Sequence, residues 1–130
     1  MASRAHDWLK QAKRDFSHAE ADLKSGFYEW SCYSAQQAAE KAVKAFCQLQ
    51  NGEAWGHSIT GILKKLAARF PEINPLIQRA MNLDKLYIPS RYPNGFDSGT
   101  PEDYFTEEDA RKAIEDARII IAFCESRFSG

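Results

Sequence analysis

Nothing in this 130-residue chain approaches the length of a membrane span, and its start, Met1-Ala2-Ser3-Arg4-Ala5-His6-Asp7, has no apolar h-region. The expected setting is the cytoplasm, with no signal peptide and no membrane partner. Cysteine is scarce: Cys32, Cys47 and Cys124 are odd in number and lack metal-ligand spacing. Each sits in an apolar helical pattern and reads as a small buried hydrophobe in a reducing compartment. A bias toward one sign of charge is also missing. Lys and Arg number 17 against 18 Asp and Glu, a net charge of −1, which excludes a globally basic nucleic-acid binder. Strand-like alternation, internal repeats and low-complexity segments are absent. So are the G-x-S-x-G, phosphate-loop and dinucleotide fingerprints. No His/Cys/Asp/Glu grouping has ligand spacing, so neither a metal nor a cofactor is expected.

What is present is helical periodicity. The first helix is predicted from about Ser3 to Ser25, with Ala5, Trp8, Leu9, Ala12, Phe16, Ala19 and Leu23 on one stripe and Gly26 as its stop. The second runs from about Tyr28 to Gln50. It is apolar on more than one side, as a central helix is. Ser58 caps a third helix to about Phe70, ended by Pro71. A fourth opens at Asn74-Pro75 and ends before Pro89. Ile88 to Phe105 reads as one long loop, rich in Pro and Gly. Thr106-Glu107-Glu108-Asp109 reads as a capping box that starts a last helix to about Phe128. Residues 1–130 thus read as one all-α domain, an antiparallel up-and-down bundle of about five helices. Trp30, Trp55, Phe96 and Tyr104 fall at helix ends or in loops, more apolar surface than one small domain needs to expose. A homodimer is the expectation.

The near-zero total conceals an asymmetry. Lys41 to Arg91 holds eight Lys/Arg and three Asp/Glu, a net +5, whereas Tyr92 to Gly130 holds four and nine, a net −5. Two readings fit: a functional basic patch, or pairing between the two halves.

Three polar groups stand out. Gln37, Glu40, Lys41 and Lys44 recur at i, i+3, i+4 and i+7, on one helical face. They fit phosphate and base binding, or local Glu40–Lys44 pairing. His57, just before the cap Ser58, could donate to a phosphate at the helix N-terminus or act as a base. Equally, it could bond across the loop to fix the start of the helix. Asp84, Tyr87, Ser90, Arg91 and Tyr92 gather at the end of the fourth helix. Arg91 suits a phosphate and the tyrosines suit a base; alternatively Arg91 pairs with Asp84 or Glu40 and anchors the loop. His6 and His18 lie on a polar helical side with no chemical role expected.

Gln36-Gln37-Ala38-Ala39-Glu40-Lys41-Ala42-Val43-Lys44-Ala45, Gly56-His57-Ser58 and Ser90-Arg91-Tyr92-Pro93, in that order, resemble the HEPN domain family. The resemblance runs from Asp7-Trp8-Leu9 to the last helix. It implies a helical bundle, commonly paired into dimers, that binds nucleotides or short RNA beside a separate minimal nucleotidyltransferase. Ribonuclease members of that family resemble one another in an Arg-x4–6-His motif. Here Arg91 is followed by no His, and Arg14 to His18 is one residue too short and on the wrong helix. A noncatalytic module with no catalytic residue is therefore expected. Lys41, Lys44, His57 and Arg91 would converge on one phosphate pocket, with Tyr87 or Tyr92 stacking. Gln37, Glu40, Ser58, Asp84 and Ser90 would support them. The alternatives are a metal-independent ribonuclease with His57 in a degenerate site, and a dimeric interaction module with no ligand.

Overall fold

A computed structural model of the protein describes residues 3–128. The expected domain bounds at 1 and 130 lie outside the described residues. Six α-helices follow in order: α1 (Ala5–Ser25), α2 (Tyr28–Leu49), α3 (Ile59–Ala67), α4 (Asn74–Asp84), α5 (Pro101–Tyr104) and α6 (Glu107–Ser126). Among the described residues there is no strand, and no helix is long and apolar enough to cross a membrane.

The helix ends follow local chemistry. Gly26 takes φ +82° after α1, and the next amide, of Phe27, reaches the Asp22 carbonyl at 2.9 Å. That left-handed step is nearly free for glycine and costly for other residues. Thr106 and Asp109 form the expected reciprocal capping box on α6. Two differences from expectation have plain causes. Asn74 does not cap α4, because a short 3₁₀ turn, Pro71–Ile73, leads directly into it and the Asn74 amide donates to the Pro71 carbonyl. The long loop contains α5, a single turn set by Pro101 at its start and by Thr100 and Asp103, which cap each other.

The core lies around α2. Ala35, Ala38, Ala39, Ala42, Val43 and Phe46 on α2 are essentially inaccessible to solvent. Their small size lets α1 pack closely, and the α1–α2 pairing is the most extensive in the bundle, followed by α2–α6. Larger side chains complete the core: Ile59, Leu63, Leu83 and Ile120 are each 1% exposed or less. Each such burial is worth about 1.5–3 kcal/mol relative to exposure. Cys32, Cys47 and Cys124 are all buried and free. Burial pushes the Cys32 and Cys124 thiols up to about 12.

Contacts along α2 fix the direction of its neighbours. Near its start, Tyr28 meets Glu107 of α6; near its end, Phe46 meets Phe123. Gln36 reaches the His57 carbonyl ahead of α3, while Phe46 touches Phe70 beyond it. Both α3 and α6 therefore run in the same sense as α2. The expected antiparallel order holds for α1 against α2, but not for α3, because the loop before it carries the chain back, nor for α6. The loop Asn51–His57 carries the chain back along α2 before α3 begins. Arg79 of α4 and Asp116 of α6 form an ion pair at 2.9 Å, with Asp116 only 1% exposed. At the far end of the bundle the ring of Phe128 packs edge-on against His6, 5.0 Å away.

Candidate functional site

The polar face of α2 is a connected network. Glu40 is 3% exposed, so a bare carboxylate there would be costly. It accepts from Lys44 Nζ at 2.9 Å and meets His57 Nδ1 at 3.2 Å. Gln37 donates to Glu40 at 3.3 Å and to Gln36 Oε1 at 2.8 Å. Gln36, fully buried, donates to the His57 carbonyl at 3.1 Å. The local Glu40–Lys44 pair expected from spacing is present, and Glu40 also restrains His57. Lys41 is engaged elsewhere, by Asp15 of α1.

The N-terminus of α3 is already filled. Ser58 Oγ accepts from the Gly61 amide at 3.0 Å. The Asp84 carboxylate accepts from the amides of Ile59 at 3.1 Å and Thr60 at 2.9 Å, and from the Thr60 hydroxyl at 2.6 Å. This helix end attracts negative charge, and the protein supplies its own. A phosphate held by His57 and the α3 amides would have to displace Asp84. The phosphate-at-cap reading of His57 is thereby corrected, and Asp84 and Ser58 are capping groups.

Arg91 does not pair with Asp84 or Glu40. Its Nε donates to the Tyr87 carbonyl at 2.9 Å. The guanidinium carbon lies 4.4 Å from the ring centroids of both Tyr33 and Tyr87 and 4.9 Å from that of Tyr92. Among the described residues no carboxylate lies within 4.0 Å of it. The rings attract the cation by their negative faces without neutralising it. Tyr87 also stacks on the His57 imidazole, 5.0 Å between centroids and 20° between planes. Arg91 and His57 thus share one ring, and their separation is under about 10 Å, on the scale of one bridging ligand. Tyr92 is 46% exposed and Trp30, edge-on to Tyr33, is likewise 46% exposed. Ser90 is buried, and its hydroxyl has no partner among the described residues.

The structure therefore joins His57, Tyr87, Arg91 and Tyr92, with Glu40 and Lys44 behind His57, and leaves Lys41 with Asp15. The expected convergence of Lys41, Lys44, His57 and Arg91 on one phosphate pocket is not what forms, because three of the four have carboxylate partners on or beside α2: Lys41 with Asp15, and Lys44 and His57 with Glu40. Sequence reasoning missed Gln36 and Tyr33. Tyr33 was findable: it lies four residues before Gln37, one turn along the same face. Among the described residues no three His, Cys, Asp or Glu side chains are grouped to hold a metal ion.

This bundle, with its buried α2 polar network and its Arg91–tyrosine cluster, matches the HEPN domain model over residues 5–127. The chain belongs to the HEPN domain family. It is 27% identical over 123 residues to the Methanocaldococcus jannaschii protein named "Putative toxin MJ1304", spanning 88% of this chain and 81% of that one. Among solved structures it is similar to TT1696 from Thermus thermophilus, with 40% identity, TM-score 0.89, and coverage of 96% of this chain and 98% of the other. ST0689, an archaeal HEPN homologue, shares 40% identity at TM-score 0.81, over 97% of this chain and 98% of its own. An HEPN domain protein from Thermotoga maritima, tm0613, shares 40% identity at TM-score 0.78, covering 95% and 98%.

Proposed function

We propose that the protein is a noncatalytic HEPN module that binds a nucleotide or short RNA at the Arg91–His57 surface. The observation that carries this reading is the un-neutralised Arg91 guanidinium over three tyrosine rings. Such a cation, with only part of its donors used on Tyr87 and Tyr92, still attracts a phosphate, and the half-exposed Tyr92 and Trp30 offer rings on which a base can stack. The module acts with a separate minimal nucleotidyltransferase in a toxin–antitoxin-like system, and it does so as a homodimer. The printed name of the M. jannaschii relative supports the toxin-like part. The exposed rings of Trp30 and Tyr104 support the dimer.

Binding of a nucleotide panel and short RNAs, at two salt concentrations, tests the reading. Arg91→Ala should weaken affinity by about 1.5–3 kcal/mol, as for a charge-assisted hydrogen bond. Lost binding with a retained melting temperature supports the site. Unchanged binding with a large loss of stability makes Arg91 a loop anchor only, and the site is then dropped. A second reading, a metal-independent ribonuclease, is favoured by one observation: Glu40 holds the His57 imidazole beside the ring that carries Arg91. RNA cleavage that survives chelator and disappears in His57→Ala would establish it over the first.

A further inference from the structure

A groove of about 370 Å³ opens between the C-terminal end of α2, the following loop and α3. Ile62, Leu66 and Phe70 give it an apolar lining, and Gly61 adds no side chain to its α3 wall. Trp55 borders it at 83% exposure, the highest among the large hydrophobic side chains described. Lys65 and Arg69, four residues apart, form its cationic rim. Neither has a carboxylate within 4.0 Å among the described residues. Arg69 lies 5.2 Å over the Phe70 ring. Glu53 is the one acidic lining residue.

We infer that this groove docks an amphipathic helical segment of a partner protein, with apolar side chains beside Trp55 and carboxylates one turn apart on Lys65 and Arg69. Three features specify that chemistry. The space admits one or two large apolar side chains but not a whole helix, so the segment lies across the mouth and inserts anchors. The two cations, one on the last turn of α3 and one just past its end, match a pair of acids on a facing segment. Trp and Arg, both lining this groove, are residue types enriched among the side chains that carry binding energy at protein interfaces. A nucleic acid fits less well. Its bases would find one exposed ring, Trp55, beside a Phe70 already covered by Arg69, its phosphates two cations, and the aliphatic floor of Ile62 and Leu66 would stay uncovered.

The probe is a short fluorescein-labelled helical peptide with Leu on two successive turns and Glu flanking them, compared with its Lys-flanked counterpart by anisotropy. The acidic peptide should bind in the range of about 10–100 μM. Its affinity should fall as salt rises, and the Lys peptide should bind at least about tenfold more weakly. Trp55→Ala, and Lys65→Glu combined with Arg69→Glu, should each cost about tenfold or more, with folding verified by circular dichroism. Arg118→Ala, on α6, should cost nothing. Equal binding of both peptides, or indifference to the groove variants, overturns the inference. So does absence of binding at about 1 mM peptide. Displacement of the peptide by an oligouridine would assign the groove to nucleic acid. Self-association of the chain that the groove variants abolish would assign it to a second copy.

Discussion

Removing the Asp84 side chain should do more damage than its half-buried position suggests. Helix α3 has only nine residues, too few to persist without help at its ends. Asp84 supplies the acceptor for two of its leading amides, at 3.1 and 2.9 Å, and for the Thr60 hydroxyl at 2.6 Å. Two carboxylate–amide bonds at about 1–1.5 kcal/mol each, with a helix-dipole contribution of about 0.3–1 kcal/mol, give roughly 3 kcal/mol. Asp84→Ala should therefore lower the melting temperature by about 10 °C in a chain of this size. Asp84→Asn keeps one acceptor oxygen but loses the charge, and should cost about half as much. Thermal and urea melts followed by far-UV circular dichroism read both. A loss below about 1 kcal/mol, or Asn as harmful as Ala, would refute the capping account. A double-mutant cycle adds a sharper check. Asp84 and Arg91 do not touch, so Asp84→Ala and Arg91→Ala should add within about 0.5 kcal/mol. A coupling above about 1 kcal/mol would mean that the two interact directly.

Two further outcomes follow from buried groups. Because burial raises the Cys32 and Cys124 thiols from 9.0 to about 12, the unfolded chain ionises first as pH rises. Stability should thus hold below pH 9 and fall between pH 9 and about 12, by up to about 1.4 kcal/mol per pH unit for each thiol, a slope that Cys32→Ala with Cys124→Ala should largely remove, with Cys47, also raised by burial, supplying the remainder. Glu40→Ala leaves Lys44 and His57 without their shared partner at the edge of the core. It should destabilise the fold by about 2–4 kcal/mol in a urea titration, whereas Glu40→Gln, which still accepts from both, should cost less.

The bundle was legible because its signals are local. Gly26, Ser58 and Thr106 each set a helix boundary through their own backbone or side chain, and 3.6-residue periodicity marked which faces are buried. The α5 turn was missed because four residues are too short for periodicity to register. Its signal was the Thr100–Asp103 pair beside Pro101. The candidate site was harder. That Lys44 serves Glu40 follows from spacing, but that Lys41 serves Asp15 depends on how α1 docks. Likewise, that Asp84 fills the α3 cap in place of a ligand depends on α4 returning to that end, a relation between residues 24 and 25 apart. The identity of the family rested on motif order, which survives such rearrangement of partners.

The edge-on meeting of His6 and Phe128 closes the bundle into a near-continuous loop of chain. Arg4 bonds to Gln48 at that same end, while Tyr33, beside Arg91, lies fifteen residues earlier along α2. At 1.5 Å per residue the two places are about 22 Å apart. The His6–Phe128 contact therefore lies well away from the tyrosine cluster. The same closure makes the chain a natural candidate for circular permutation, with a short linker at His6 and Phe128 and new ends cut elsewhere.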